Sequence, residues 1–600
     1  MAFDPAGPGP TAPASGTVGR QEIDILSFLD KMDEESKVAH DDIIADNYEE
    51  LLGQYSGERQ WGSKEDTGKY RTNIIKAIVR RKVALVTESK PGIRVLERRA
   101  GLLNTAAIMQ KLITAQWDEH SIDMQLEKGE LQRRVLGATF FKVAWDKHAE
   151  NGRGNLLFKC IDPRCVSIDP AIEDSADLDH AQYVITKSVM ALHKVMLDFP
   201  GRGQLVRPDE RISAFDSEEP SLGGRIMGPV RAAIRQAYRG RKRLDDGSVP
   251  RAFIRDYQFC DYSLENGERK YPFGRHIIRG GDDVILYDEP NPYFDGGWEL
   301  VMIDGVMDLD HPWGQSEVED LRPIQESMNR IGSQFVDNVI IGGGVRIVMD
   351  QGSMSPDDET KLSNLPGLII RKLQGRQVDF QAPAEMPAHY LAFPQQALQM
   401  ANFLSGLDDG TLQTKGRVEQ RSGAQLEGLQ SAAQVLVRSD ARRLEAGLER
   451  IGAKLISRNF QYMTDDRILI SLGENNEFHS FQFERQKLTQ ELLDLASKEV
   501  AEKYKDIPPP EGAIEEAMTN WLRNAWKELK FKITPSSTLA ATKLQRAQML
   551  GGLVDKGYVP ITDLLREVGY ENAEEVIKKA REQMQQWPPP PPPQKAKGKK

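Results

Sequence analysis

Val318, Leu321, Met328, Ile331, Phe335 and Val339 recur at helical spacing and draw an apolar stripe through a segment whose other positions are mostly polar. Ser316 and Glu319 ahead of it have the spacing of a capping box, in which each side chain satisfies a free amide of the first turn. Pro323 conflicts with a straight continuation, because it lacks an N–H and crowds the turn before it. The stretch is therefore expected to be a short turn bent into a helix from about Pro323 to Ile340. A longer stripe follows at Leu426, Leu429, Ala433, Val437, Ala441, Leu444, Leu448, Ile451 and Leu455. Unbroken, its roughly 40 residues would span ~60 Å at the α-helical rise. That is a spine rather than an ordinary globular helix. Gly428, Gly447 and Gly452 either weaken it or allow a close approach.

Elsewhere the pattern predicts a helical region over Ile23–Leu52, a helix near Asn73–Val86, and two more in "TAAIMQKLITAQWDEH" and "MQLEKGELQRRV". The period then drops to two. "ATFFKVAWD" and "NLLFKCI", joined by "KHAENGRG", read as a β-hairpin. Short strands are expected in "PRAFIRDYQFCDYS", "RHIIRGGDDVILYDEP" and "GWELVMIDG". Beyond the first stripe, "VRIVMD", "GLIIRKL" and "QVDF" form a small β-rich excursion. "AHYLAFPQQALQMANFLSGL", with Leu391, Leu398 and Phe403, predicts a further helix. Helices are also expected at 484–504, 511–528, 537–556 and 571–586. The fold class is mixed α/β with long helices.

Composition narrows the function. At 600 residues the chain exceeds the size at which one core stops growing, so two or more lobes are expected. A net charge of −11 argues against general DNA binding through a broad basic face. Local basic groups remain: Arg80, Arg81 and Lys82 on a predicted helix, and the arginines at 231, 235, 239, 241 and 243 with Lys242. Each suits a solvated face or ion pairs as well as nucleic acid. The connector "DDGTLQTKGRVEQRSG" sets Asp408, Asp409 and Glu419 against Lys415, Arg417 and Arg421, with glycines at 410, 416 and 423 for flexibility. Residues 1–20 read as a disordered segment, and 587–600 as a Pro-rich spacer with a Lys-rich tip. Cys160, Cys165 and Cys260 are too few for a disulfide framework and are expected to be buried small side chains. No run approaches the ~20 apolar residues of a membrane span, and the start does not look secretory.

Candidate chemistry is sparse. Paired acids such as those in "DPAIEDSADLDH" could hold Mg²⁺, but aspartates in turns are commonplace. His148, His180 and His193 lack the spacing of a zinc site, and neither a phosphate loop nor a nucleophile elbow is present. No catalytic, cofactor or metal residue is assigned, and the chain is expected not to be an enzyme.

The order of these features resembles the portal, or head–tail connector, proteins of tailed bacteriophages, over roughly residues 25–580. The resemblance rests on "YRTNIIKAIVRRKVALVTESKPGIRV", on the "GATFFKVAWD…IDPRCVSIDPAIEDSADLDH" segment, on "HPWGQSEVEDLRPIQESMNRIGSQFVDN" and on "ATKLQRAQMLGGLVDKGYVPITDLLREVGYENAEEVI". It implies the portal fold of wing, stem, clip and crown. Residues 21–315 would be a mixed α/β wing region with an insertion at 201–250 that matches no family segment. Residues 316–341 and 388–405 would be stem helices, the first packing through the stripe above, with the clip at 342–387 between them. Residues 406–423 would be the tunnel loop, where Lys415, Arg417 and Arg421 touch passing DNA or instead pair with Asp408, Asp409 or Glu419 across subunits. Residues 424–483 would be a long wing helix with return strands, and 484–586 a helical crown.

By the same resemblance, a ring of about twelve identical subunits would sit at one capsid vertex of the virion, after assembly in the host cytoplasm. Its channel would serve genome packaging, retention and ejection, with only transient, non-specific contact to double-stranded DNA. Its partners would be the terminase motor, the major capsid and scaffolding proteins, and later tail adaptor or head-completion proteins, with no membrane and no cofactor. Another capsid-associated structural protein, or a divalent-metal-dependent nucleic-acid enzyme, are the alternatives.

Overall fold

A computed structural model describes residues 20–40, 46–57, 72–87, 90–208, 250–309, 311–343, 346–349, 378–381, 388–405, 435–464, 466–472, 478–503 and 512–533, with 550–551, 554, 560–562 and 577 as isolated positions. The basic stretch 231–243, the strand expected in "GLIIRKL", Lys415, Arg417, Arg421 and the Pro/Lys tail lie outside the described residues. So do nearly all of the two last predicted helices.

The strands in chain order are β1 (Ile93–Glu97), β2 (Ala138–Asp146), β3 (Asn155–Ile161), β4 (Val166–Ile168), β5 (Tyr183–Ala191), β6 (Arg251–Phe259), β7 (Leu264–Glu265) and β8 (Glu268–Arg269). They continue with β9 (Arg275–Gly280), β10 (Val284–Pro290), β11 (Leu300–Asp304), β12 (Arg346–Met349), β13 (Val378–Gln381), β14 (Arg467–Leu472), β15 (Phe478–Phe483) and β16 (Leu529–Ile533). The predicted hairpin is β2–β3, antiparallel from Phe140 opposite Ile161 to Asp146 opposite Asn155. β11 returns to the other edge of β2, giving a three-stranded sheet. A second, five-stranded antiparallel sheet has the order β10-β9-β6-β5-β4. β12 and β13 pair as the predicted small β-excursion.

The predicted Ile23–Leu52 region is two helices, Arg20–His40 and Asp46–Ser56. The first lays Leu29 and Met32 on the five-stranded sheet beside Tyr183, Ile185, Tyr257 and Ile277. Helices Ile74–Thr87, Leu103–Glu119 and Ile122–Leu136 follow as expected. Helix Glu317–Gly343 runs through Pro323 with no separate preceding turn. The proline deletes one ladder bond, but burial of Val318 and Leu321 and the Arg134–Glu317 ion pair hold the first turns in place. Cys160 and Cys165 are buried free thiols and Cys260 is half-buried. Burial pushes the Cys165 thiol up to about 12, so it behaves as a small apolar side chain.

Helix Val435–Tyr462 carries the later part of the longer stripe; Leu426, Leu429, Ala433 and the Val437 side chain lie outside the described residues. Ala441, Leu444, Leu448, Ile451 and Leu455 are all buried in one cluster with Phe141, Val143, Ile303, Leu488, Leu492 and Phe531. Gly447 and Gly452 serve close approach: a methyl group at either would fall inside the van der Waals surface of Ile303 or Phe531. Distant parts of the chain close onto this helix. β1 pairs antiparallel with β16, Ile93 opposite Ile533 and Glu97 opposite Leu529. Helix Arg485–Lys503 docks on Leu103–Glu119, where the Glu491 carboxylate accepts hydrogen bonds from the Asn104 amide side chain and the Thr105 hydroxyl, both at 2.8 Å. The N-terminal body and the C-terminal helices therefore share one core. No helix of the described residues is long and apolar enough to cross a membrane.

Candidate functional site

The most densely built polar region lies where helix Glu317–Gly343 leaves the α/β body. Its local cause is a set of three close-packed glycines. Gly137 ends helix Ile122–Leu136 with φ +83°, a conformation that costs glycine little. A Cβ there would sit 2.6 Å from the Gly314 carbonyl oxygen, and one at Gly305 would sit 2.9 Å from the Gly137 oxygen. Three backbone segments can meet only because all three residues lack side chains.

Ser316 fastens this knot to the helix. Its hydroxyl donates to the Val135 carbonyl at 2.6 Å and accepts from the Val318 amide at 3.1 Å. The expected capping box is thus only half formed. Glu319 does not turn back; its carboxylate accepts from Asn47 Nδ2 at 2.8 Å. Further along the same helix, buried Gln325 and Asn329 cap a neighbour instead. Gln325 Oε1 accepts from the Ile74 amide at 2.8 Å, and Gln325 Nε2 donates to Asn329 Oδ1 at 3.0 Å. These side chains satisfy amides that the first turn of Ile74–Thr87 leaves open.

Beneath them lies a balanced set of three cations and three anions. Arg133 and Arg134 each reach Glu130 at 2.7 Å, and all three are buried. Arg134 also pairs with Glu317, in the first turn of the helix, and with Asp440 at 3.3 Å. Lys82 reaches Glu317 from the helix Ile74–Thr87 at 2.9 Å. Burial alone would raise the Glu130 pKa, yet the two guanidiniums hold it at about 2. Arg134 thus ties together the starts of the two long helices, 317–343 and 435–462. Of the basic cluster expected at Arg80–Lys82, Lys82 is consumed here, while Arg80 and Arg81 stay exposed.

A second feature had no reading in the sequence. Arg443, Arg450, Lys454 and Arg458 follow one face of helix Val435–Tyr462, each answered by the α/β body. Arg443 reaches Asp304 at 3.2 Å, and Lys454 reaches Asp179 at 2.6 Å. Arg450 donates to the Ser175 carbonyl at 2.6 Å. Arg458 is fully buried, paired with Asp295 at 2.5 Å and stacked 3.5 Å from the Tyr293 ring centre. The seven- and four-residue spacing of these cations was the available signal.

The stripe residues of the first helix divide. Val318, Leu321 and Met328 are buried, Ile331 is half-buried, Phe335 is exposed, and the Val339 side chain lies outside the described residues. Helix Ala388–Ser405 packs against Glu317–Gly343. Its buried apolar residues are Ala397 and Ala401; the larger Leu398, Met400, Phe403 and Leu404 are exposed. Among the described residues no group of three or more His, Cys, Asp or Glu is placed to hold a metal ion.

The long helices, their fixed charges and their shared root define a structural scaffold. Residues 314–599 match the family of the phage P22-like portal protein. The match begins at Gly314, in the knot that launches the first long helix, and covers a little under half of the chain. This part of the chain is a portal-protein region, and the portal resemblance is borne out there. The match supports reading the chain as a structural portal, or head–tail connector, protein. A search of curated proteins found no match to the chain.

Proposed function

We propose that the chain forms a closed ring of about twelve copies around a DNA channel at one capsid vertex, with a single heterologous interface repeated around the axis. The observation that carries this is the family match together with an uncovered apolar face on its first two helices. Phe335, Leu398, Met400, Phe403 and Leu404 are large, exposed and close in the chain to the contact between those helices. A neighbouring copy would cover them.

In this reading 316–341 and 388–405 are stem helices, 342–387 the clip, 406–423 the tunnel loop, 424–483 the long wing helix with its return strands, and 484–586 the crown. Residues 21–315 are the wing, joined to the matched region through β1–β16 and Arg134. The clip would dock the terminase motor and later tail adaptor or head-completion proteins, and the wing would meet capsid and scaffolding proteins. Pairing of the cations on helix 435–462 with the body supports a channel that does not grip phosphate through that helix. Lys415, Arg417 and Arg421 would supply the transient DNA contacts. The ring would belong to the virion, after assembly in the host cytoplasm.

One experiment with two arms tests the assignment. Leu398→Asp with Phe403→Asp should leave folded monomers where the natural chain gives rings, read by sizing and electron microscopy. Lys415→Ser with Arg417→Ser and Arg421→Ser should leave rings intact and lower DNA packaging. Rings from the first variant would remove the stem interface from the account. Normal packaging by the second would remove the loop contacts.

A further inference from the structure

We propose that half-buried Lys142 and Asp256, with buried His276 and Glu299, form a pH-responsive clasp between the two sheets of the α/β body, closed while the His276 ring carries its second proton. The geometry is a chain of charges across the seam. Lys142, in the middle of β2, reaches Asp256 of β6 at 3.1 Å and Glu299, just before β11, at 2.7 Å. The other oxygen of Asp256 is 2.7 Å from His276 Nε2 on β9. The other oxygen of Glu299 accepts from the Tyr293 hydroxyl at 2.6 Å. Lys142 and Glu299 belong to the three-stranded side, Asp256 and His276 to the five-stranded sheet.

Every element around His276 contributes to its setting. On β6 it lies opposite Gln258, whose side chain accepts from the Glu299 amide at 3.0 Å. On β10 it lies opposite Glu289, and the Tyr287 ring meets it edge-on with centroids 5.2 Å apart. The Tyr287 hydroxyl donates to the Glu289 carboxylate at 2.9 Å. From helix Val435–Tyr462, Arg458 and Tyr462 pack on Tyr293, whose hydroxyl holds Glu299.

With His276 protonated, two cations face two carboxylates. Without that proton, one lysine faces two carboxylates in a buried seam, an arrangement that invites water or separation. The carboxylates do not absorb the change. Burial would raise both, but Lys142 and His276 hold Asp256 far below, and Lys142 holds Glu299 below, the usual range. Burial opposes the charged ring of His276, yet Asp256 outweighs it and raises the histidine above its ordinary 6.5. A raised folded-state value means the stabilisation is fully present below about 6.5 and is lost as pH rises through the higher value.

The test is amide hydrogen exchange of the full chain at pH 6 and pH 9, corrected for intrinsic chemistry. Peptides over 251–259 and 275–280 are compared with the reference helix 103–119. In the natural chain, protection of the two strands should fall several-fold at pH 9 while the helix is unchanged. His276→Gln, which keeps a donor toward Asp256 without the titration, should abolish that step and show equal protection at both pH values. An unchanged ratio of strand to helix in the natural chain overturns the clasp, whether or not the variant folds. An equal step in natural chain and variant overturns it as well.

Discussion

Replacing Arg134 with methionine is expected to destabilise the root of the long helices by about 3–5 kcal/mol, the usual cost of breaking a buried ion network from one side. Methionine preserves much of the volume but leaves Glu130 with Arg133 alone, Glu317 with Lys82 alone, and Asp440 with no cation from this set. Arg134→Lys should recover only part of the loss. A point charge cannot reproduce a planar guanidinium that meets carboxylates on three helices. A chain of this size does not unfold in one step, so the check is local. Amide protection should fall in peptides covering 122–136, 317–330 and 439–445, and not in 275–290. Glu130→Gln added to Arg134→Met should restore some protection, since it removes a buried charge short of partners.

The second large effect is expected from the smallest substitution. Gly452→Ala places a methyl group into the Phe531 ring, at the point where helix Val435–Tyr462 presses on β16. Alanine normally favours a helix over glycine by about 1 kcal/mol. Here the sign should reverse, with a net loss of roughly 1–3 kcal/mol or more from overpacking. β16 holds β1, so displacement should reach residues 93–97, more than 350 positions earlier in the sequence. The measure is protease susceptibility near 93–97 and 529–533. Phe531→Leu should partly rescue Gly452→Ala while being destabilising alone. Additive losses in the double variant would show that the ring is not the obstacle.

What was legible in the sequence was whatever depends on near neighbours. Alternation in "ATFFKVAWD" and "NLLFKCI" marked β2 and β3, and the three-four spacing from Ala441 to Leu455 marked a buried helix face. The two helical glycines were recognised as possible close approaches, but nothing local said that Phe531 and Ile303 were the groups approached. The same limit explains the half-formed capping box: Glu319 has the right spacing, yet Asn47, 272 residues away, offers its amide instead. The β1–β16 pairing, the Arg134 hub and the histidine clasp join residues far apart in the chain, where periodicity carries no information. In helix Ala388–Ser405, Leu398 and Phe403 marked the helix, but its buried apolar residues are the small Ala397 and Ala401. The portal resemblance was readable because it rests on an order of segments, and its family match begins in one of them.

The central claim is a ring. Electron microscopy of the purified full-length protein, with particle mass measured in the same preparation, tests it most directly. The account predicts closed rings with a central opening wide enough for duplex DNA and a mass near that of about twelve chains of 67.4 kDa. A compact dimer with divalent-dependent nuclease activity would contradict it.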